Sequence, residues 1–132
     1  MMAIVEVKNP KRKASTGAYS DGLLVDGWLY CSGQGPIDLE TGRVVAGTID
    51  EEVRLTLENL GDVLRAGGCS YADVVRCTCH LTNIEDFDRF NVVYSEYFKG
   101  VRPTRTTVQS VLGLGIKVEI DAIAKVPTAE KS

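Results

Sequence analysis

The 132-residue sequence predicts an α+β layer, a mixed sheet with two helices packed on one face, on three observations. Two stretches place apolar residues at three- and four-residue steps, the period of an amphipathic helix. Short runs rich in β-branched residues surround them, as half-buried strands require. Nothing between these stretches reads as a linker, a spacer or a tandem repeat, so residues 1–132 are expected to form one domain.

Residues 3–7 alternate as a short strand, and Asn9-Pro10 ends it before the basic run Lys11-Arg12-Lys13, read as a solvated terminus. Thr16 to Tyr19 is loop. The apolar runs 20–25 and 28–32 flank Asp26-Gly27, the strongest hairpin signal in the chain, because a type I′ turn needs positive φ at both central positions. Ser32-Gly33-Gln34-Gly35-Pro36 breaks the second strand, and Asp38, Thr41 and Gly42 form a polar turn before Val44 and Val45.

Residues 49–66 form the clearest helix, with Ile49, Val53, Leu57, Leu60 and Leu64 in one stripe. Thr48 and Glu51 have capping-box spacing at its start, and Gly67-Gly68 stops it. Residues 74–81 are a strand with Val75, Cys77, Cys79 and Leu81 on the apolar side and Arg76, Thr78 and His80 opposite. Asn83 caps a second helix running through Phe98, whose stripe is Ile84, Phe87, Asn91, Tyr94 and Phe98, flanked by Phe90 and Tyr97. Asn91 stands out there, since a polar residue on an apolar face needs a partner. Gly100 and Pro103 end that helix.

Two closing strands follow, at 101–110 and 117–126, joined by a connection bearing Gly113 and Gly115. Antiparallel pairing is the expectation. In the last strand Val118, Ile120, Ala122, Ala124 and Val126 share one face, with Lys117, Glu119, Asp121 and Lys125 on the other. Register permitting, the pairing brings Arg105 beside Glu119, an anion clamp next to a general base. A plain strand-to-strand surface pair fits the same two residues. Two helices cover one sheet face, which leaves the other to subunit association.

Composition excludes several classes. A net charge of −3 offers no global attraction to nucleic acid or to an anionic membrane surface. No apolar run serves as a signal peptide or spans a bilayer, so a cytoplasmic home is the expectation. Cys77 and Cys79 read as small buried hydrophobes. C-x-C-H lacks the paired C-x-x-C spacing of structural zinc sites, and Cys31 and Cys69 have no motif context. No metal site and no disulfide framework are expected.

G-A-Y at 17–19, C-S-G-Q at 31–34, F-N-V-V-Y at 90–94, R-P-T-R-T-T at 102–107 and K-V-E-I-D-A-I-A at 117–124 occur in order. Together they resemble the reactive intermediate/imine deaminase family (RidA, also called YjgF, and in older descriptions L-PSP endoribonuclease), over nearly the whole chain. The resemblance implies a chorismate-mutase-like fold and a homotrimer with active sites in the clefts between subunits. It implies cofactor-independent hydrolysis of enamine and imine intermediates such as 2-aminoacrylate, giving a 2-keto acid and ammonia. Carried over, Arg105 would hold the substrate carboxylate and Glu119 would position or activate water. Tyr19, Ser32 and Asn91 would line the cleft, with Thr107 where family members often carry Cys. Ala18 replaces the usual Pro before Tyr19, Gly35 replaces a bulkier apolar residue, and the 111–116 connection lacks the family's Pro. A larger imine of the aminomuconate type therefore stays open as substrate.

The chemistry agrees with that family. An imine bearing a carboxylate needs a fixed cation, and the arginine fork grips a carboxylate bidentately. Attack of water on C=N needs a positioned base, for which a partly desolvated glutamate serves. Two rivals remain: an endoribonuclease, suggested by the older family name and by Lys11-Arg12-Lys13, and a trimeric ligand-binding or chaperone-like module without turnover. The acidic total and the lack of a clustered aromatic-basic surface argue against the first.

Overall fold

The structure is a computed structural model and describes residues 3–128. Six strands, β1 (Ile4–Val7), β2 (Gly22–Val25), β3 (Trp28–Gln34), β4 (Val74–Leu81), β5 (Thr104–Gln109) and β6 (Val118–Lys125), form one sheet in the order β1-β2-β3-β6-β4-β5. Helix α1 (Ile49–Ala66) lies across β3 and β6, and α2 (Phe87–Tyr97) packs beside it. The element order matches the one read from the sequence. No helix among the described residues is long and apolar enough to cross a membrane.

Local chemistry sets the hairpin and α1. Asp26 and Gly27 have φ of 51° and 78°, so β2 and β3 pair antiparallel across a two-residue turn, Val25 opposite Trp28. At α1 the Thr48 hydroxyl accepts from the Glu51 N–H at 3.2 Å and the Glu51 carboxylate accepts from the Thr48 N–H at 2.9 Å. All five stripe residues of α1 are buried, against Leu29, Ile120, Ala122 and Ala124 of the sheet. Glu52 is buried behind this stripe and ties α1 to β6: its carboxylate accepts from the Lys117 N–H and from the Lys117 ammonium, both at 2.9 Å.

Several expectations are corrected. β5 and β6 are not neighbours. β6 lies between β3 and β4, antiparallel to both, while β5 runs parallel to β4 on the sheet edge. Residues 110–116 are thus a crossover spanning β4, not a hairpin loop; Leu114 and Gly115 turn it with φ of 64° and 72°. A bulge between Val74 and Arg76 gives β4 an extra residue against β6, so Val74 is buried and Val75 is exposed. Of the basic run only Arg12 departs from a solvated terminus, meeting buried Asp21 at 2.8 Å; Lys11 and Lys13 stay exposed, in surface pairs with Asp62 and Glu40 at 3.2 Å. Ile84 belongs to a 3-10 turn ahead of α2 and is exposed, whereas Val93 is buried in its place.

Both helices cover the face carrying Cys77, Cys79 and Ile120. The opposite face, with Tyr30, Arg76, His80, Glu119 and Ile123, has no helix on it among the described residues.

Candidate active site

The residues singled out in the sequence fall into two clusters on opposite faces of the sheet. Arg105 sits on β5 in parallel register with Cys77, and so faces the helix side. There its guanidinium carbon lies 4.7 Å from the Tyr94 ring centroid, 5.3 Å from Phe90 and 5.5 Å from Phe87. The F-N-V-V-Y segment of α2 supplies two of these rings because Phe90 and Tyr94 are one helical turn apart. Aromatic faces hold a cation through their quadrupole and leave its N–H donors unused. Among the described residues no carboxylate pairs with Arg105. The result is a half-buried cation with free donors at a cavity of about 300 Å³ lined by Asn91, Tyr94, Ser95, Arg102, Pro103 and Arg105. Asn91, the odd member of the α2 stripe, thus turns to this cavity. Thr107, two residues along the strand, has a buried hydroxyl without a partner.

The other cluster forms on the opposite face around Glu119. That residue lies between β3 and β4, in register with His80. Its carboxylate rests on Gly33: a Cβ at residue 33 would lie 2.6 Å from one carboxylate oxygen and 2.8 Å from the carboxyl carbon. Tyr19, 48% exposed, holds its hydroxyl against that of Thr16. Tyr19, Gly33, Leu114 and Glu119 line one hollow of about 60 Å³, which Arg12 also reaches. The Ser32 hydroxyl donates to the Ser20 carbonyl at 2.6 Å, which fastens the Tyr19 loop to β3 beside a neighbouring hollow. The space opened by Gly35 is taken by Ile116, whose Cδ1 would be 3.1 Å from a Cβ there, so Gly35 by itself does not enlarge the hollow.

Within one chain, then, Asn91 and Arg105 line one cavity with Thr107 on the same face of β5, while Tyr19 and Glu119 line one hollow with Ser32 beside Tyr19 in the next. Arg105 and Glu119 are not: β4 separates their strands, and their side chains leave the sheet on opposite sides. The expected juxtaposition fails because strand neighbours in sequence are not strand neighbours in the sheet. Gly33 and Arg102 fall inside the C-S-G-Q and R-P-T-R-T-T segments but carry no role there, and Arg12 shows in the sequence only as part of a charged run; all three line these spaces.

His80 points to the uncovered face, with Nδ1 2.8 Å from the Ser110 hydroxyl. The four cysteines are free and buried. Burial pushes the Cys77 thiol up to about 11 and the Cys31 thiol up to about 12. None is poised as a nucleophile. Among the described residues no group of three or more His, Cys, Asp or Glu side chains could hold a metal ion. A caged cation with free donors and a seated carboxylate suit a small organic acid and an acid–base step.

The family model described as Endoribonuclease L-PSP matches residues 9–126. The chain is 41% identical over 119 residues to the 2-iminobutanoate/2-iminopropanoate deaminase of Rattus norvegicus, covering 89% of this chain and 87% of that protein. A putative endoribonuclease of Thermotoga maritima superposes with a TM-score of 0.88 at 42% identity, over 94% of this chain and 98% of that one. A Rid family protein of Yersinia pestis does so with a TM-score of 0.88 at 36% identity, over 94% and 100%.

Proposed function

The chain belongs to the L-PSP endoribonuclease family, the Rid proteins, and from that premise we propose that it is an imine deaminase. It hydrolyses 2-imino acids, such as those arising from 2-aminoacrylate, to 2-keto acids and ammonia. The observation that carries this reading is the Arg105 guanidinium, held by three aromatic rings with no carboxylate partner among the described residues. Such a cation is prepared for a ligand carboxylate.

The site is completed between subunits. Because the two clusters leave opposite faces of one sheet, the Arg105 side of one subunit meets the Glu119 side of its neighbour, in a homotrimer whose uncovered sheet faces pack together. In that cleft Arg105 fixes the substrate carboxylate, with Asn91 and Thr107 beside it. Glu119 takes a proton from water as the oxygen bonds to the imine carbon and passes it to the nitrogen. The resulting amino alcohol gives its hydroxyl proton to Glu119, which delivers it to the nitrogen as the C–N bond breaks, so the C=O forms and ammonia leaves. Tyr19 and Ser32 form the opposite wall. The chemistry calls for no cofactor or metal, and a cytoplasmic setting is part of the same proposal.

The test separates Arg105 from Glu119. Arg105→Ala should weaken calorimetric binding of a 2-keto acid by about 2–5 kcal/mol, the cost of truncating one partner of a buried charged pair. Arg105→Lys recovers little, since a point charge does not reproduce the fork. Glu119→Gln should keep keto-acid binding while ammonia release from an imine made in situ falls about 10²–10⁴-fold. A Glu119→Gln protein that turns over at the parental rate removes Glu119 from the mechanism. A parent that binds keto acids but releases no ammonia makes the chain a binding module instead. RNA cleavage lost with Arg105→Ala would favour the ribonuclease reading.

A further inference from the structure

The Arg105 cavity holds a second guanidinium that a small imino acid does not use. Arg102 lines the same space of about 300 Å³. Its Nε donates to the Phe98 carbonyl at 2.9 Å, at the C-terminal cap of α2. A cation at a helix C-terminus commonly serves such a carbonyl, and that accounts for one edge of the fork. The terminal nitrogens have no hydrogen-bond partner, and Arg102 has no carboxylate partner, among the described residues. Pro103 locks the backbone between the two arginines and limits how they can move apart. None of the six lining residues is acidic. Arg105 is half-buried and Arg102 exposed, so two cations border one cavity without a protein counter-ion among the described residues, and a ligand carrying two negative groups complements them.

We propose that this cavity selects 2-imino acids whose side chain ends in a second carboxylate, with Arg105 on the first carboxylate and Arg102 on the second. The inference rests on the deaminase reading and assigns Arg102 as its specificity-determining residue. The reaction is the same: water adds to C=N, the C–N bond breaks, and a 2-keto dicarboxylate leaves with ammonia. The class of reaction that supplies such substrates is two-electron oxidation of an acidic amino acid at its amine-bearing carbon, which converts C–N to C=N and keeps the nitrogen.

The experiment compares the full-length parent with Arg102→Leu and Arg102→Lys. Imines are generated in situ by amino-acid oxidases from aspartate or glutamate and, separately, from 2-aminobutanoate. In parallel, calorimetry measures 2-oxoglutarate, oxaloacetate and 2-oxobutanoate. In Arg102→Leu the ratio of kcat/KM for dicarboxylate over monocarboxylate imines should fall about 10–100-fold, through KM, as expected for losing hydrogen bonds to a charged group. The affinity ratio of 2-oxoglutarate or oxaloacetate over 2-oxobutanoate should fall in step, and Arg102→Lys should recover part of it. An unchanged ratio in both assays, or an equal loss for both substrate types, overturns the proposal. A parent without turnover on any imine overturns the deaminase reading instead, and the calorimetric ratios still decide the second-carboxylate site.

Discussion

Gly33 lies where β3 passes under the Glu119 carboxylate, and the side chain it lacks is what makes room. A Cβ would come within 2.6 Å of a carboxylate oxygen. Gly33→Ala should therefore push the carboxylate off its seat, and a displacement near 1 Å can cost about 10²-fold in turnover. Ammonia release should fall by that order while calorimetric keto-acid binding at Arg105 stays near parental; equal loss of both would mean that the fold, not the carboxylate, had moved. The thiols make the opposite case, residues whose chemistry is suppressed. Cys77 and Cys79 should resist alkylation in the native protein and react on unfolding. The Cys77 and Cys31 thiols rise from 9.0 to about 11 and about 12. The native state therefore keeps protons that the unfolded state gives up above pH 9 or so. Their contribution is full below that pH and is lost as pH climbs toward the folded values, so the urea midpoint should drop between about pH 9 and 11. Burial of Cys77 and Cys79 was legible in the sequence from strand alternation. The seat at Gly33 was not, because it exists only once β3 lies beside β6.

Elements were legible wherever one periodicity decided them, and pairings were not. Thr48 and Glu51 announce the start of α1, and Asp26-Gly27 fixes the β2–β3 register, because both signals are local. Inserting β6 between β3 and β4 is a long-range event, decided by which faces bury most apolar surface together. Ile120 against Cys79, and Ala124 against Leu29, are pairings that no stretch of sequence displays. Glu52 helps hold that insertion. It is 1% exposed and accepts from the main chain and the ammonium of Lys117, two residues before Glu119. Breaking a buried charge pair costs about 3–5 kcal/mol, and the Lys117 side chain, 41% exposed, keeps some access to water. Glu52→Ala should thus cost about 3 kcal/mol, seen as a lower urea midpoint at unchanged slope. A cost under about 0.5 kcal/mol would place the α1–β6 tie elsewhere.

At the scale of the molecule, opposite faces turn a failed pairing into an assembly requirement. One chain presents Arg105 under α2 and Glu119 on the uncovered face, so the cleft proposed here to contain both draws on two chains. Light scattering at micromolar concentration should return a trimer; a monomer would leave each half-site without its complement. A sharper measurement uses two variants that are each inactive. Arg105→Ala keeps a working Glu119, and Glu119→Gln keeps a working Arg105. Unfolded together in equal amounts and refolded, they assort at random into closed rings, where each cleft draws its arginine from one subunit and its glutamate from the next. About one quarter of the clefts then receive both intact residues, whatever the number of subunits in the ring. Ammonia release should return to about a quarter of the parental rate, while either variant refolded alone stays inactive. Mixing the folded proteins without dissociation should restore nothing at first and more as subunits exchange. If co-refolded mixtures gain no activity while the parent refolded in the same way recovers fully, Arg105 and Glu119 do not act across a shared cleft.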